Sequence, residues 1–89
     1  MTEYWRLKIE PKAEKQLGKL DPQVAKGVQL ALDDLVRLEN PASRCKELRG
    51  THAGLHSFRI RHLRVILELL IEDHTIFVVS VGWRKDIYN

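Results

Sequence analysis

The first residues of the chain alternate between hydrophobic and polar side chains. Trp5, Leu7 and Ile9 fall on one side of this alternation, and the residues between them fall on the other. A period of two predicts a half-buried β-strand. Pro11 follows where a helix can begin, because the first turn has no hydrogen bond for proline to remove. We therefore expect a short helix after the strand, with Gly18 weakening its end.

A second and longer helix is predicted from Pro22. Asp21 can cap its first turn, and Pro22 can occupy the first helical position. Between Val24 and Leu38, the apolar residues recur at i, i+4, i+7, i+8, i+11 and i+14. This spacing places them on one face of a helix. The Asn40-Pro41 step predicts that the helix ends near that point.

The second half of the chain has the pattern of strands. The segment Cys45–Leu48 predicts a short strand or an extended loop, and three strand-like runs follow at His56–Arg61, Leu63–Glu72 and Thr75–Trp83. Asp73-His74 separates the last two runs and predicts a tight hairpin. The order is β-α-α-β-β-β, which predicts an α+β fold with two N-terminal helices packed on one face of a small, mainly antiparallel sheet. The other face would then be open to a ligand.

Length and composition limit the classes of protein. The chain of 89 residues is expected to form one domain over residues 1–89, and its hydrophobic fraction of 44% is typical of a folded protein. Cys45 has no second cysteine with which to form a disulfide. Charged residues interrupt the N-terminal segment, and the apolar run around Glu68 is too short to cross a bilayer. We therefore expect a cytoplasmic protein that does not bind membranes.

Positive charge is concentrated in one part of the sequence. Between Arg44 and Arg64 there are six cations and a single anion, Glu47, whereas the first 43 residues carry seven cations and seven anions. A local basic surface favours an anionic partner, with nucleic acid as the leading candidate. An ordinary solvated basic face is the alternative interpretation. On the strand predicted from His56, Arg59 alternates onto the face opposite Phe58 and is therefore expected to point away from the core.

Several short motifs occur in a fixed order in the second half of the chain. They are Leu48-Arg49-Gly50, Gly54-Leu55, Arg59, Arg64-Val65-Ile66, Glu68 and the final run from Ser80 to Tyr88. This series resembles the RelE/ParE superfamily of bacterial and archaeal toxins. The resemblance implies the toxin of a type II toxin–antitoxin pair with a RelE-like fold. RelE-like members cleave mRNA, commonly in the ribosomal A site, whereas ParE-like members inhibit DNA gyrase. We favour the RelE-like branch and keep gyrase inhibition as the alternative.

Metal-independent RNA cleavage uses the 2′-OH as nucleophile and needs a base, an acid and cations around the phosphate. The four histidines are not at metal-ligand spacing from carboxylates or cysteine, so no metal and no cofactor are expected. Arginine matches phosphate oxygens bidentately, which suits Arg64 and Arg84. By resemblance, these two correspond to the arginines that RelE-like ribonucleases use, and Tyr88 corresponds to their C-terminal tyrosine. Tyr88 could instead anchor the tail to the sheet.

The remaining site residues follow from charge and position. Arg59 occupies the place of a lysine in the best-studied RelE-like nuclease, and Ser57 occupies the place of another. Because arginine stays protonated, Arg59 can stabilise charge as a catalytic residue but is a poor base. The base is unassigned, with His52 and His56 as candidates and Lys85 as a third. The residues expected to bind RNA are Lys46, Arg49, Arg61 and Lys85.

The resemblance also predicts partners. They are a cognate antitoxin, with which a toxin–antitoxin hetero-oligomer is expected, and mRNA with the ribosome. The antitoxin is expected to lay an amphipathic helix across the toxin's helices and to cover or distort the basic face.

Trp83, at the end of the last predicted strand, has two possible roles. It either stacks on a base of the RNA or closes the hydrophobic core, and we favour the core.

Overall fold

The structure is a computed structural model and describes residues 4–83. Its helices are α1 (Pro11–Gly18) and α2 (Pro22–Val36). Its strands are β1 (Arg6–Ile9), β2 (Lys46–Glu47), β3 (His56–Ile60), β4 (Leu63–Leu70) and β5 (Thr75–Trp83). Two short 3-10 turns, Pro41–Arg44 and Gly50–His52, flank β2. In chain order the two helices come after β1 and before the other four strands, as the sequence pattern predicts.

The five strands form one sheet in the order β1-β5-β4-β3-β2. β1 runs parallel to β5, and the other three pairs are antiparallel. β1 is the edge strand next to β5, at the opposite end of the sheet from β2. α1 and α2 form the long connection that this placement needs. The predicted α+β fold with a mainly antiparallel sheet is therefore confirmed.

The core lies between the two helices and one face of the sheet. Ala13 from α1 and Val28, Leu32 and Leu35 from α2 are fully or almost fully buried. The side chains that meet them from the sheet are Leu63, Val65, Leu67, Ile76, Val78 and Val81. Burial of each large aliphatic side chain contributes about 1.5–3 kcal/mol, so this layer supplies most of the driving force for folding. Trp5 also faces this core, as the alternation predicts.

α2 ends earlier than the sequence predicts. It stops at Val36, and the Asn40-Pro41 step instead begins a 3-10 turn. The backbone N–H groups of Arg37 and Leu38 bond to carbonyls three residues back, which tightens the last turn. The carbonyl of Val36 accepts a hydrogen bond of 2.9 Å from the N–H of Trp5. The chain that enters β1 therefore satisfies the end of the helix.

β5 carries a bulge in its middle. Ile66 of β4 pairs with Ser80, but the next residue, Leu67, pairs with Val78, so Val79 is extra. The alternation of β5 is broken at this point: Ile76 and Val78 face the core before it, and Val81 faces the core after it. In β5 the even-numbered residues therefore face the core before Val79, and the odd-numbered residues face it afterwards.

The face opposite the helices is less open than predicted. Ser57 and Ile66 point to that side, yet they retain 4% and 7% of their exposure. Arg59 of the same face is exposed and Arg64 is half-buried. The basic side chains therefore lie beside a small buried patch on this face. Within residues 4–83, no helix is long and apolar enough to cross a membrane.

Candidate nucleic-acid interface

Arg59 and Arg64 are direct partners across β3 and β4 on the face opposite the helices. Like charges in facing positions of a sheet destabilise it, because their charged groups are held close together. On the other side of Arg64, the facing residue on β5 is Gly82, which has no side chain to occupy the space. The sheet therefore presents two arginines beside an open position, and an anion bound there would relieve the repulsion.

The two-residue turn between β3 and β4 sets this arrangement. Arg61 has a φ of 54°, in the left-handed region that suits such a turn. The predicted strand His56–Arg61 therefore ends one residue early, and Arg61 lies in the turn and not on the arginine face. The Nε of Arg59 donates to the carbonyl oxygen of Arg61 at 3.4 Å, which holds the Arg59 side chain over the turn.

Arg64 is oriented by a neighbour on β3. Its Nη1 donates to the hydroxyl oxygen of Ser57 at 3.4 Å, a long and weak hydrogen bond. Ser57 pairs with Ile66, two residues along from Arg64 and on the same face, so its hydroxyl lies beside the guanidinium. In the sequence, Ser57 stood out only as the absence of a lysine. The structure shows instead that it contacts a predicted catalytic residue.

A groove of about 440 Å³ joins Arg64 to the edge of the sheet. Its lining is formed by Lys46, Glu47, Leu48, Arg49 and Arg64. We call this surface the basic groove. It brings together Lys46 and Arg49, both predicted to bind RNA, with the predicted catalytic Arg64. Arg59 adjoins it through its pairing with Arg64.

Glu47 is the residue of the basic groove that sequence analysis missed. It is exposed on β2 and is the one carboxylate that residues 4–83 contribute to the groove lining. A carboxylate is a suitable group to accept a proton during RNA cleavage, but the pairing of Glu47 with His56 turns its side chain away from the face of Arg64. The signal was visible in the sequence, because Glu47 is the single anion among the six cations between Arg44 and Arg64.

The two histidines predicted as bases lie in different surroundings. His52 ends the 3-10 turn Gly50–His52 and is exposed. His56 is half-buried on the core side of β3, and its Nδ1 is buried without a hydrogen-bond partner among residues 4–83. Glu47 faces His56 across β2 and β3. Of the two, His52 has the better access to a substrate on the surface.

Trp83 and Arg61 line a different cleft. It measures about 490 Å³ and lies between α2, the β3–β4 turn and the end of β5. Trp83 is 44% exposed. The expectation that Trp83 closes the core is therefore wrong: β5 ends with this residue, and the N-terminal half of α2 leaves it uncovered. Arg61 lies in this second cleft and not in the basic groove.

Three of the predicted site residues lie outside the described part of the chain. Arg84 and Lys85 follow Trp83 directly in the sequence, and Tyr88 comes three residues after Lys85. Within residues 4–83, no three histidine, cysteine or acidic side chains are grouped as a metal site requires. Cys45 directly precedes Lys46 of the basic groove in the sequence. Burial raises the pKa of its thiol to about 11, so the thiol is protonated at neutral pH.

Comparison with known proteins identifies one family. Residues 7–88 match the family described as the ParE toxin of type II toxin–antitoxin systems, parDE. This match covers nearly the whole chain. No curated protein sequence matches the chain.

Solved structures of RelE toxins have the same fold. A chain of the toxin–antitoxin complex RelBE2 from Mycobacterium tuberculosis is 28% identical with a TM-score of 0.83, over 97% of this chain and 98% of that chain. In the RelE–RelB complex from Pyrococcus horikoshii the values are 24% and 0.76, over 94% and 99%. In the RelBE complex of Escherichia coli they are 23% and 0.72, over 91% and 96%. The last two similarities show the fold alone.

Proposed function

The chain belongs to the ParE toxin family of type II toxin–antitoxin systems, and we propose that this toxin is an endoribonuclease that cleaves mRNA and so inhibits translation. The observation that carries the proposal is the facing pair Arg59 and Arg64 beside the basic groove. A sheet tolerates two facing arginines at a cost, and an anionic backbone removes that cost. A nuclease needs this concentration of positive charge where the scissile phosphate lies.

The cations supply the electrostatic part of the reaction. Negative charge grows on the phosphate oxygens as the 2′-OH attacks, and arginine donors fixed beforehand stabilise it. Arg64 is the central residue, because it is half-buried and held by Ser57. Arg59 stabilises the same charge from the neighbouring strand. Lys46 and Arg49 bind the flanking phosphates along the groove.

The base that accepts the 2′-OH proton is proposed among the groups near the basic groove. His52 is exposed in the turn that follows β2 and is the leading candidate, whereas Glu47 lines the groove but pairs with His56 and so alternates to the core side of the sheet. His56 is a weaker candidate because it faces the core side of the sheet. No metal ion is part of the proposed reaction, since acid, base and charge stabilisation all come from side chains.

The tail contributes by resemblance to RelE-like ribonucleases. Arg84 corresponds to their second arginine and is proposed to bind the phosphate with Arg64. Tyr88 corresponds to their C-terminal tyrosine and is proposed to stack on or orient the substrate base. Lys85 is proposed as an RNA contact beside them. Arg61, in the turn, is proposed as a more distant RNA contact.

The proposed partners follow from the family and from the neighbouring structures. The RelE chains from M. tuberculosis, P. horikoshii and E. coli are each part of a complex with an antitoxin. We propose a cognate antitoxin for this toxin as well, in a hetero-oligomer. The mRNA is proposed to be cleaved on the ribosome, in the cytoplasm.

Primer extension on a defined message with stalled ribosomes tests the proposal. We expect cuts with the wild-type toxin and a loss of about 100-fold or more in cleavage rate for Arg64→Ala, the size typical of a lost transition-state donor. Arg6→Ala is the matched control, since it removes one exposed arginine from β1, two strands away from β4. An intact message at saturating wild-type toxin would overturn the nuclease.

A gyrase inhibitor is the second candidate. The family description names ParE, and Ser57 and Arg59 stand where the best-studied RelE-like nuclease has lysines. A supercoiling assay with purified DNA gyrase distinguishes the two. Inhibition by wild-type toxin with no cleavage of the message would favour gyrase, and unaffected gyrase at high toxin would exclude it.

A further inference from the structure

Trp83 is the last residue of β5 and is exposed, whereas Thr75 at the other end of the strand is buried. Trp83 lines an apolar cleft away from the basic groove. The cleft holds about 490 Å³, and Val24, Ile60, Leu63 and Trp83 supply apolar walls. Gly27 of α2 lies in the same lining and adds no side chain. We call this surface the Trp83 cleft. Its volume exceeds that of one large apolar side chain, and its walls have the composition of a protein-binding pocket.

Arg61 gives the Trp83 cleft a positive charge. Arg61 and His62 of the β3–β4 turn are both exposed and lie in its lining, and none of the carboxylates of residues 4–83 does. The φ of 54° fixes Arg61 at the tip of the turn. The partner that suits this cleft therefore carries a carboxylate next to the apolar side chain that enters it, so that the carboxylate can pair with Arg61. A second copy of this basic toxin would instead place another Arg61 near the first.

We propose that the Trp83 cleft is a docking site for the cognate antitoxin, which inserts one large apolar side chain and places a carboxylate against Arg61. This inference rests on the proposed antitoxin partner and adds where that partner is held. A protein segment fits better than RNA, since the walls are apolar and the facing arginines Arg59 and Arg64 lie on the opposite side of the sheet. Trp83 would then be the central contact.

Docking in the cleft would act on the same strand ends that carry the arginines. Trp83 pairs with Leu63, and the next pair, Gly82 with Arg64, faces the other side of the sheet. The antitoxin therefore holds the end of β5 from one side while Arg64 lies on the other. Arg84 follows Trp83 directly in the sequence. Antitoxin bound at this point can fix the segment that carries a proposed catalytic arginine without occupying the basic groove.

Gly27 offers a test that leaves the fold intact. A Cβ added at Gly27 meets no atom within 4 Å, so the side chain of Gly27→Leu starts in open space and occupies the cleft from its α2 wall. The same is true of Gly18 on α1, which is not part of the cleft lining, so Gly18→Leu is the matched control. Leucine also has a higher helix propensity than glycine, so Gly27→Leu is expected to melt at or above the wild-type temperature.

The measurement is the Kd for the antitoxin encoded beside the toxin gene, by calorimetry on the refolded full-length chains. We expect a Kd at least tenfold weaker for Gly27→Leu, as for a blocked interface anchor, and no change for Gly18→Leu. An unchanged Kd for Gly27→Leu overturns the docking site even if the toxin cleaves mRNA. If wild-type toxin does not bind this antitoxin at all, the antitoxin partner itself is overturned.

Tryptophan fluorescence provides an independent readout. Trp5 is 8% exposed and stacked on His74, with ring centroids 4.2 Å apart, so acrylamide quenching reports mainly on Trp83. Bound antitoxin is expected to protect this fluorescence, and the protection should be absent in Trp83→Phe. Protection of Trp83 by a short RNA, or by raised toxin concentration alone, would assign the cleft to RNA or to a second copy and overturn the proposal.

Discussion

The side-chain oxygen of Gln16 on α1 lies 2.6 Å from the backbone nitrogen of Val81 on β5 and accepts its hydrogen bond. β1 pairs with β5 only from Thr75 to Val78. Beyond that point no strand within residues 4–83 lies beside this edge of β5, and Gln16 takes the place of a strand. The same oxygen accepts a hydrogen bond of 3.2 Å from the Ser80 hydroxyl.

Substitution Gln16→Ala is therefore expected to destabilise the protein. Val81 is almost fully buried, so its N–H would lose its partner without gaining water, at a cost of about 1–3 kcal/mol. Chemical denaturation measures the free energy of unfolding. Gln29→Ala is the control, because Gln29 bonds only to Asp33 on the exposed surface of α2. An equal loss for both variants would contradict the role of Gln16.

Removal of one facing arginine is expected to stabilise the fold while it weakens RNA cleavage. Arg59→Ala relieves the repulsion with Arg64, which should raise the free energy of unfolding by up to about 1 kcal/mol. Its cleavage of mRNA should fall, since one cation is lost from the site. Thermal denaturation at low and high salt measures the first effect. Added salt should stabilise the wild type more than Arg59→Ala, because it screens the repulsion.

The control for this prediction is Arg6→Ala. Arg6 is also an exposed arginine, but its partner across the sheet is Thr75. It changes the net charge by the same amount without removing a like-charged pair. If Arg6→Ala stabilised the protein as much as Arg59→Ala, the gain would come from net charge and not from the pair.

The N-terminus of α2 depends on one side chain. The Oδ1 of Asp21 accepts a hydrogen bond of 2.9 Å from the N–H of Gln23. Asp21→Ala should therefore lower the free energy of unfolding by about 0.5–2 kcal/mol. Urea denaturation provides the measurement. Glu10, at the same position before α1, makes no such hydrogen bond, so Glu10→Ala should have little effect.

Cys45 is expected to react slowly with thiol reagents at neutral pH. Burial raises the pKa of its thiol from 9.0 to about 11, and only the thiolate reacts. Because the pKa is higher in the folded than in the unfolded protein, folding is favoured most below pH 9, and this stability is lost as the pH rises through 11. Labelling rates and melting temperatures from pH 8 to 11 test both statements. Cys45→Ser should remove the labelling.

The sequence was sufficient to predict which segments form the helices and strands and which side of β1, α2 and β3 faces the core. The period of two placed Trp5 inward, and the alternation on β3 placed Phe58 toward the core and Arg59 away from it. The helix spacing identified Val28, Leu32 and Leu35, which are buried on α2. These features depend on local periodicity, which a single sequence contains.

The pairing of the arginines could not be predicted. It depends on the turn between β3 and β4, and no Asn-Gly or Asp-Gly pair marks that turn. Arg61 adopts the left-handed conformation without glycine, so the register that brings Arg59 opposite Arg64 was not visible. The place of Glu47 in the basic groove was missed for a related reason: it depends on how β2 packs beside β3. The exposure of Trp83 depends on where α2 begins relative to β5.

The bulge at Val79 makes the length of β5 as important as its composition. The two halves of the strand are out of phase by one residue, so every side chain after Val79 is oriented by that single insertion. A deletion of Val79 would remove the bulge and leave the pairs on either side of it in place, so Gly82 would still lie beside Arg64 and Trp83 would stay on the side of the helices. The same residues paired without the bulge would place Gly82 toward the helices and Trp83 on the side of Arg64, so the bulge determines which of the two surfaces receives each side chain.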